Sequence, residues 1–314
     1  EHLRGIRAPA IVQSVAWAGP EPMATLVDGT LLHWGERSSV LRSEGGRIYY
    51  LAADAAGADW LVGTDQADAV VELWGRPGND RRLRLPFPEG LAPSVATAMT
   101  PAGDRVVAGT TDGQVVVWDV AGPVPGTPRT SRIAADENLV ALDVSPDGTL
   151  LAAGLYSGRG TVLARIGPDL SATPLATLPG EVPQLATFSP DGRYLQVGIA
   201  AGAVDLWDVS DPEHPIATAS LPTPSNPGAS AFSSTGRLLA AGTDGGDVLL
   251  WDWTDPARPQ ELRRLLGPRA GINTIAFSPD ASLLVAAGVG DYLWVWDLTE
   301  DSTAAVLSVP AAMG

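Results

Sequence analysis

Three histidines, 36 acidic residues and no cysteine bound the chemistry open to this 314-residue chain. His2, His33 and His214 lie 31 and 181 residues apart. A zinc site needs three or four ligands at tetrahedral positions, so this spacing leaves any metal site to the tertiary fold. A Ser-His-Asp arrangement would need one of these imidazoles beside a nucleophile, and nothing in the sequence puts one there. Thiolate nucleophiles, disulfides and cysteine-based zinc or iron–sulfur sites are excluded. All 20 basic residues are arginine, which removes a phosphate-loop lysine and a Schiff-base lysine. No G-x-S-x-G, G-x-G-x-x-G or H-E-x-x-H pattern occurs. The paired carboxylates of TDQAD (64–68) and ADENL (135–139) could do acid–base work or hold calcium. Neither run has the D-x-D-x-D-G spacing, and both read as solvated turns. The run NDRRLRL (79–85) alternates Arg82 and Arg84 on a predicted outer strand, where charge discourages edge-to-edge pairing. We assign no catalytic, cofactor-binding or metal-ligating residue, and expect no cofactor.

Net charge is −16 and the pI about 4.4. Binding a phosphate backbone or an anionic bilayer needs a basic footprint, so neither nucleic acid nor membrane is an expected partner. No apolar run approaches the roughly 18 residues of a spanning helix. The chain opens EHLRGIRAP, without Met or a signal-peptide pattern, and reads as a cytoplasmic piece of a longer protein. Arginine without lysine, with abundant alanine and glycine, is the composition of a high-GC bacterium.

The elements that must position any site announce themselves by repetition. A Ser or Thr opens a turn at Thr100 (TPAG), Ser145 (SPDG), Ser189 (SPDG), Ser233 (SSTG) and Ser278 (SPDA), in steps of 44 or 45. Trp-Asp pairs close a later strand at Trp118-Asp119, Trp207-Asp208, Trp251-Asp252 and Trp296-Asp297, and Leu163-Ala164 takes the slot of a lost pair. Two weaker copies span 16–35 and 51–75, ending in Trp34-Gly35 and Trp74-Gly75, for seven units in all.

Each unit specifies four strands. Pro presets the second position of a type I turn, and Gly suits its fourth. An alternating, β-branched run such as INTIAF (272–277) precedes the turn, and a small-residue run such as RLLAAGT (237–243) follows. A Gly-Asp or Asp-Gly turn, a strand such as DVLLWD (247–252), a loop and a fourth strand such as ELRRLLG (261–267) complete an antiparallel meander. One such sheet cannot bury both faces, whereas seven placed radially can. Small residues in the second strand permit close approach, and the Trp fills the wider gap further out. The expectation is a single all-β domain over 1–314, a seven-bladed β-propeller. Either HLRGIRAP (2–9), which we favour, or TAAVLSVP (303–310) completes the last blade.

These residues resemble the WD-repeat family of β-propellers, strongly in the last three copies. The resemblance implies a hydrogen-bonded tetrad of His, Ser or Thr, turn Asp and Trp. Pro268 and Arg269 stand where that His is expected, while the turn Asp survives as Asp112 and Asp244, with Asp28 and Asp291 as candidates. The loop style is similar to propellers attached to bacterial STAND NTPases, Ser/Thr kinases and caspase-like proteases. The resemblance implies non-catalytic recognition of a protein or peptide, or ligand sensing for an attached effector domain. The alternatives are a propeller hydrolase or lactonase at the channel mouth, and a purely structural scaffold. The expected binding face carries the loops before strand one and after strand two of each unit. Residues assigned to it are Tyr50, Asp65, Phe87, Asp112, Asn138, Tyr156, Arg159, Gln184, Asn226, Asp244, Arg269 and Tyr292.

Overall fold

The computed structural model describes residues 6–7, 11–18, 21–33, 39–42, 48–53, 59–64, 70–75, 82–122, 124–180, 185–199, 202–265, 270–289 and 292–299. Every regular element among them is a strand. After a short β1 (Ile6–Arg7), the chain runs through sheets of four antiparallel strands. Sheet 1 is β2 (Val12–Ala18), β3 (Glu21–Leu26), β4 (Thr30–His33) and β5 (Ser39–Arg42). Sheet 2 is β6 (Ile48–Ala53), β7 (Asp59–Thr64), β8 (Val70–Gly75) and β9 (Arg82–Pro86). Sheet 3 is β10 (Pro93–Met99), β11 (Arg105–Thr110), β12 (Gln114–Asp119) and β13 (Arg129–Arg132). Sheet 4 is β14 (Leu139–Val144), β15 (Leu150–Leu155), β16 (Thr161–Ile166) and β17 (Ala172–Leu178). Sheet 5 is β18 (Leu185–Phe188), β19 (Tyr194–Ile199), β20 (Ala203–Asp208) and β21 (Ile216–Pro222). Sheet 6 is β22 (Pro227–Phe232), β23 (Leu238–Thr243), β24 (Val248–Asp252) and β25 (Gln260–Leu265). Sheet 7 is β26 (Ile272–Phe277), β27 (Leu283–Gly288) and β28 (Tyr292–Asp297), with β1 as its fourth strand. The register there is Ile6↔Leu293 and Arg7↔Tyr292, so the N-terminal segment completes the last sheet. Residues 303–310 lie outside the described residues.

The first strands β2, β6, β10, β14, β18, β22 and β26 pack each against the next, and β26 packs against β2. The sheets thereby form a closed circle. Its cores lie between neighbours: Trp118 packs with Val71, Leu73 and Leu85 of sheet 2, and Trp251 with Leu206 and Leu221 of sheet 5. Close approach nearer the axis needs small residues. A Cβ on Gly242 would come within 2.3 Å of Ile272 Cγ2 in the next sheet. The lost-Trp slot needs correction. The register aligns Ala164 with Leu151, as Trp118 aligns with Val106, so Ala164 holds the tryptophan position, and Leu163 joins the core shared with sheet 5. Sheet 4 has one more residue between its turn and this position than sheet 3, which displaces a count made by spacing alone.

The turn hydroxyls explain the repeated Ser. Ser145, Ser189 and Ser278 each donate to the Asp two residues on, at 2.6, 2.5 and 2.6 Å. Each accepts the backbone N–H five residues on, from Leu150, Tyr194 and Leu283, at 2.8 to 2.9 Å. Thr100 does the same with Asp104 at 2.5 Å and the Arg105 N–H at 3.0 Å. These hydroxyl-bearing residues are all buried, so each bond satisfies a group that water cannot reach. The carboxylates respond. Hydroxyl donation from Ser278, with two further donors from Ser282, holds Asp280 down to about 2. In sheet 5 the Trp207 indole N–H is buried without a hydrogen-bond partner, so no tetrad bond is made to it. Asp112 instead takes the Thr110 hydroxyl at 2.6 Å, the Gln114 amide at 2.7 Å and Arg132 at 3.2 Å. The Thr110 hydroxyl is the main cause of its lowered pKa, with Gln114 and Arg132 adding to it against a smaller effect of burial.

Candidate interaction face

One backbone bond organises the face opposite the Ser turns. In sheets 1, 3, 4, 6 and 7 the residue just after the second strand donates its N–H to the carbonyl just before the same sheet's first strand. The bonds are Val27 to Ile11, Thr111 to Ala92, Tyr156 to Asn138, Asp244 to Asn226 and Val289 to Gly271, at 2.8 to 3.0 Å. Two loops of each of these five sheets are thus tied together, and two expected pairs, Asn138 with Tyr156 and Asn226 with Asp244, are brought into contact.

Sheet 4 carries the most developed site. Glu137 is 5% exposed and accepts the Ser157 hydroxyl at 2.7 Å. The Arg159 guanidinium sits 3.2 Å from the same oxygen, with its side chain 71% exposed. Glu137 was expected as a solvated turn residue; it is a buried clamp, because Ser157 and Arg159 close over it from the opposite loop. Tyr156 stands on this base, hydrogen-bonded through its backbone, with its side chain 63% exposed. Asp136 beside it adopts the left-handed region at φ 52°. Ile11 and Val289, which the sequence reading missed, are also exposed on this face, where sheets 1 and 7 meet. Their signal was positional, since each sits in a loop slot equivalent to Asn138 or Tyr156.

Other expected residues fall elsewhere. Phe87 is half-buried, with its ring edge-on to Trp118 at 5.4 Å, so it fills a seam between sheets instead of serving as a free anchor. Tyr50 and Tyr292 lie on β6 and β28, and their side chains lie outside the described residues. Asp65, Gln184, Arg269 and Asp291 also lie outside the described residues. Arg84 lies 3.8 Å from the fully buried Glu72, so it neutralises a buried carboxylate besides guarding an edge. The Arg82 side chain, the Asp65–Asp68 part of TDQAD, His2 and the His33 side chain are outside the described residues. His214 pairs with Asp211 at 3.0 Å on an exposed loop.

A cavity of about 360 Å³ runs along the axis, lined by residues of all seven first strands. Its polar lining comes from Gln13, Ser14, Thr187, Ser230, Asn273 and Thr274, with no ionisable side chain. Among the described residues no group of three or more His, Asp or Glu is placed to hold a metal ion, and no helix is long and apolar enough to cross a membrane.

This geometry defines an all-β propeller of antiparallel four-stranded blades. The family model "WD domain, G-beta repeat" matches residues 224–252 and 259–297, in sheets 6 and 7. In fold the chain is similar to the crystal structure of the β-propeller domain of Cps50 (Swd1) from Myceliophteria thermophila. The TM-score is 0.74 at 19% identity, over 94% of this chain and 99% of that one. No curated protein matches the chain in sequence.

Proposed function

We propose that this chain is a seven-bladed, non-catalytic propeller that recognises a protein or peptide through its loop face. In this reading it is the cytoplasmic sensor or interaction domain of a larger bacterial signalling or defence protein. One observation carries the reading: an exposed tyrosine and an exposed arginine on paired loops, the tyrosine fixed through its backbone and the arginine paired with a buried glutamate. Aromatics and arginine are the side chains that anchor interfaces. Loops already fixed by internal bonds pay little ordering cost on binding. The test is affinity capture with the ring from a lysate of its source cells, compared with Tyr156→Ala, Arg159→Ala and Asp255→Ala on the opposite face. Recovery of a partner that the first two lose and the third keeps supports the reading. A partner lost only by Asp255→Ala, or none recovered by any form, overturns it.

A further inference from the structure

The wall of the axial cavity is built of dipoles. Each first strand (β2, β6, β10, β14, β18, β22 and β26) pairs within its sheet only with the second strand, so its other edge faces the axis. Such an edge presents N–H and C=O groups that the sheet does not use. Three of these N–H groups go to a side chain of the preceding sheet in the circle: Leu51 to Ser14 Oγ at 3.2 Å, Val15 to Thr274 Oγ1 at 2.9 Å and Phe188 to Asp143 at 2.7 Å. Asp143 stands where other sheets have Ala16, Ala52, Ala98, Ala231 and Ala276, and it does not line the cavity. Ser14 and Thr274 do line it, both buried, and each accepts its bond through oxygen, which leaves a hydroxyl proton to donate. Ser230 also lines it, beside the core shared by sheets 5 and 6, and its hydroxyl is buried with no hydrogen-bond partner. An unpaired buried hydroxyl is costly, and this one breaks no bond by turning about χ1 toward a guest.

We propose that the axial cavity is a binding site for one small neutral molecule with several hydroxyl groups, a polyol or monosaccharide, held by Ser230, Ser14 and Thr274. Size, charge and hydrogen-bond type each narrow the guest. A volume of about 360 Å³ falls in the range of small-molecule sites. The lining has no ionisable side chain, so a charged guest gives up its hydration without a counter-charge. A hydroxyl both donates and accepts, which matches a wall that offers N–H, C=O and O–H groups together. The Gln13 and Asn273 amides add both kinds of group. This site is separate from the Tyr156–Arg159 loops and does not rest on the recognition reading.

Titration of the folded ring with D-glucose and with myo-inositol, followed by backbone amide NMR, tests this. At least one of the two should give saturable shifts centred on Ser14, Ser230 and Thr274, with a Kd on the order of 1 mM. D-glucuronate, the glucose ring with a carboxylate, should bind more than about tenfold more weakly than D-glucose. Ser230→Ala should weaken the bound probe about three- to tenfold, the worth of one hydrogen bond, without lowering the urea midpoint. Tyr156→Ala should leave the affinity unchanged. Shifts that never saturate with either probe, which leave water as the only occupant, would overturn the proposal. So would glucuronate binding as well as glucose, full affinity in Ser230→Ala, or saturable shifts centred away from the axis.

Discussion

Replacing Ser145 by Ala removes one buried oxygen that serves two partners. Its hydroxyl donates to Asp147 at 2.6 Å and accepts the Leu150 N–H at 2.8 Å, with Ser145 only 2% exposed. Alanine leaves the Leu150 N–H buried and unpaired, at a cost of about 1–3 kcal/mol, and removes a charge-assisted bond of about 1.5–3 kcal/mol. Asp147 is exposed and water replaces part of that second loss, so the net penalty is about 2–4 kcal/mol. Urea unfolding of the isolated ring at pH 7 measures it, as a lower midpoint with an unchanged slope. Ser145→Thr is the control, because Thr100 already does this work in sheet 3. It stays within about 1 kcal/mol of wild type, the range of tolerated near-isosteric changes. The penalty also has a pH signature. Burial pushes the Asp147 pKa up, but the Ser145 and Thr149 donors outweigh it and the net shift is downward. The paired form thus contributes above the ordinary carboxylate range and is lost as pH falls through it, so the Ala penalty shrinks in acid. A penalty below about 0.5 kcal/mol at pH 7, where a neutral surface change would fall, refutes the reasoning.

Three further outcomes follow from the same geometry. Ala281 holds the left-handed region at φ 59°, where Gly148, Gly192 and Gly236 stand in the other turns; Ala281→Gly raises stability by about 0.5–1 kcal/mol in the same urea assay. Gly242→Ala drives a Cβ to 2.3 Å from Ile272 Cγ2, and its thermal midpoint falls by more than that of any exposed-loop substitution. Glu137→Gln keeps the Ser157 hydrogen bond but discharges the clamp on Arg159, so trypsin cleaves after Arg159 at least several-fold faster while the global unfolding midpoint moves by less than about 1 kcal/mol.

The sequence reading succeeded where the physics was local. Ser145, Ser189 and Ser278 recur because each turn needs a hydroxyl between a carboxylate and an N–H a few residues away, and a fixed spacing records that. The pairing of the loops before strand one and after strand two was legible for the same reason, since loops at equivalent points of a repeat emerge on one side. What escaped depended on distant chain segments. Glu137 is buried only because Ser157 and Arg159 come from the next loop, and Phe87 is occupied only because Trp118 stands in the adjoining sheet. The Glu72–Arg84 pair needed a strand register that spacing does not supply. Asp143 was visible in principle: aligning the columns of the repeat isolates it among alanines.

The central claim is that the blades close into one ring through the N-terminal strand, which fixes the loops of sheets 1 and 7 side by side. The chain has no cysteine, so Arg7→Cys with Tyr292→Cys gives two thiols at directly paired positions. Directly opposed residues of antiparallel strands have Cα atoms about 4.5–5.5 Å apart, within disulfide reach. Under mild oxidation the monomer should lose both thiols to an intramolecular bond and unfold at higher urea than its reduced form. Two thiols that remain free and react quickly with a maleimide in the folded protein would contradict ring closure by β1.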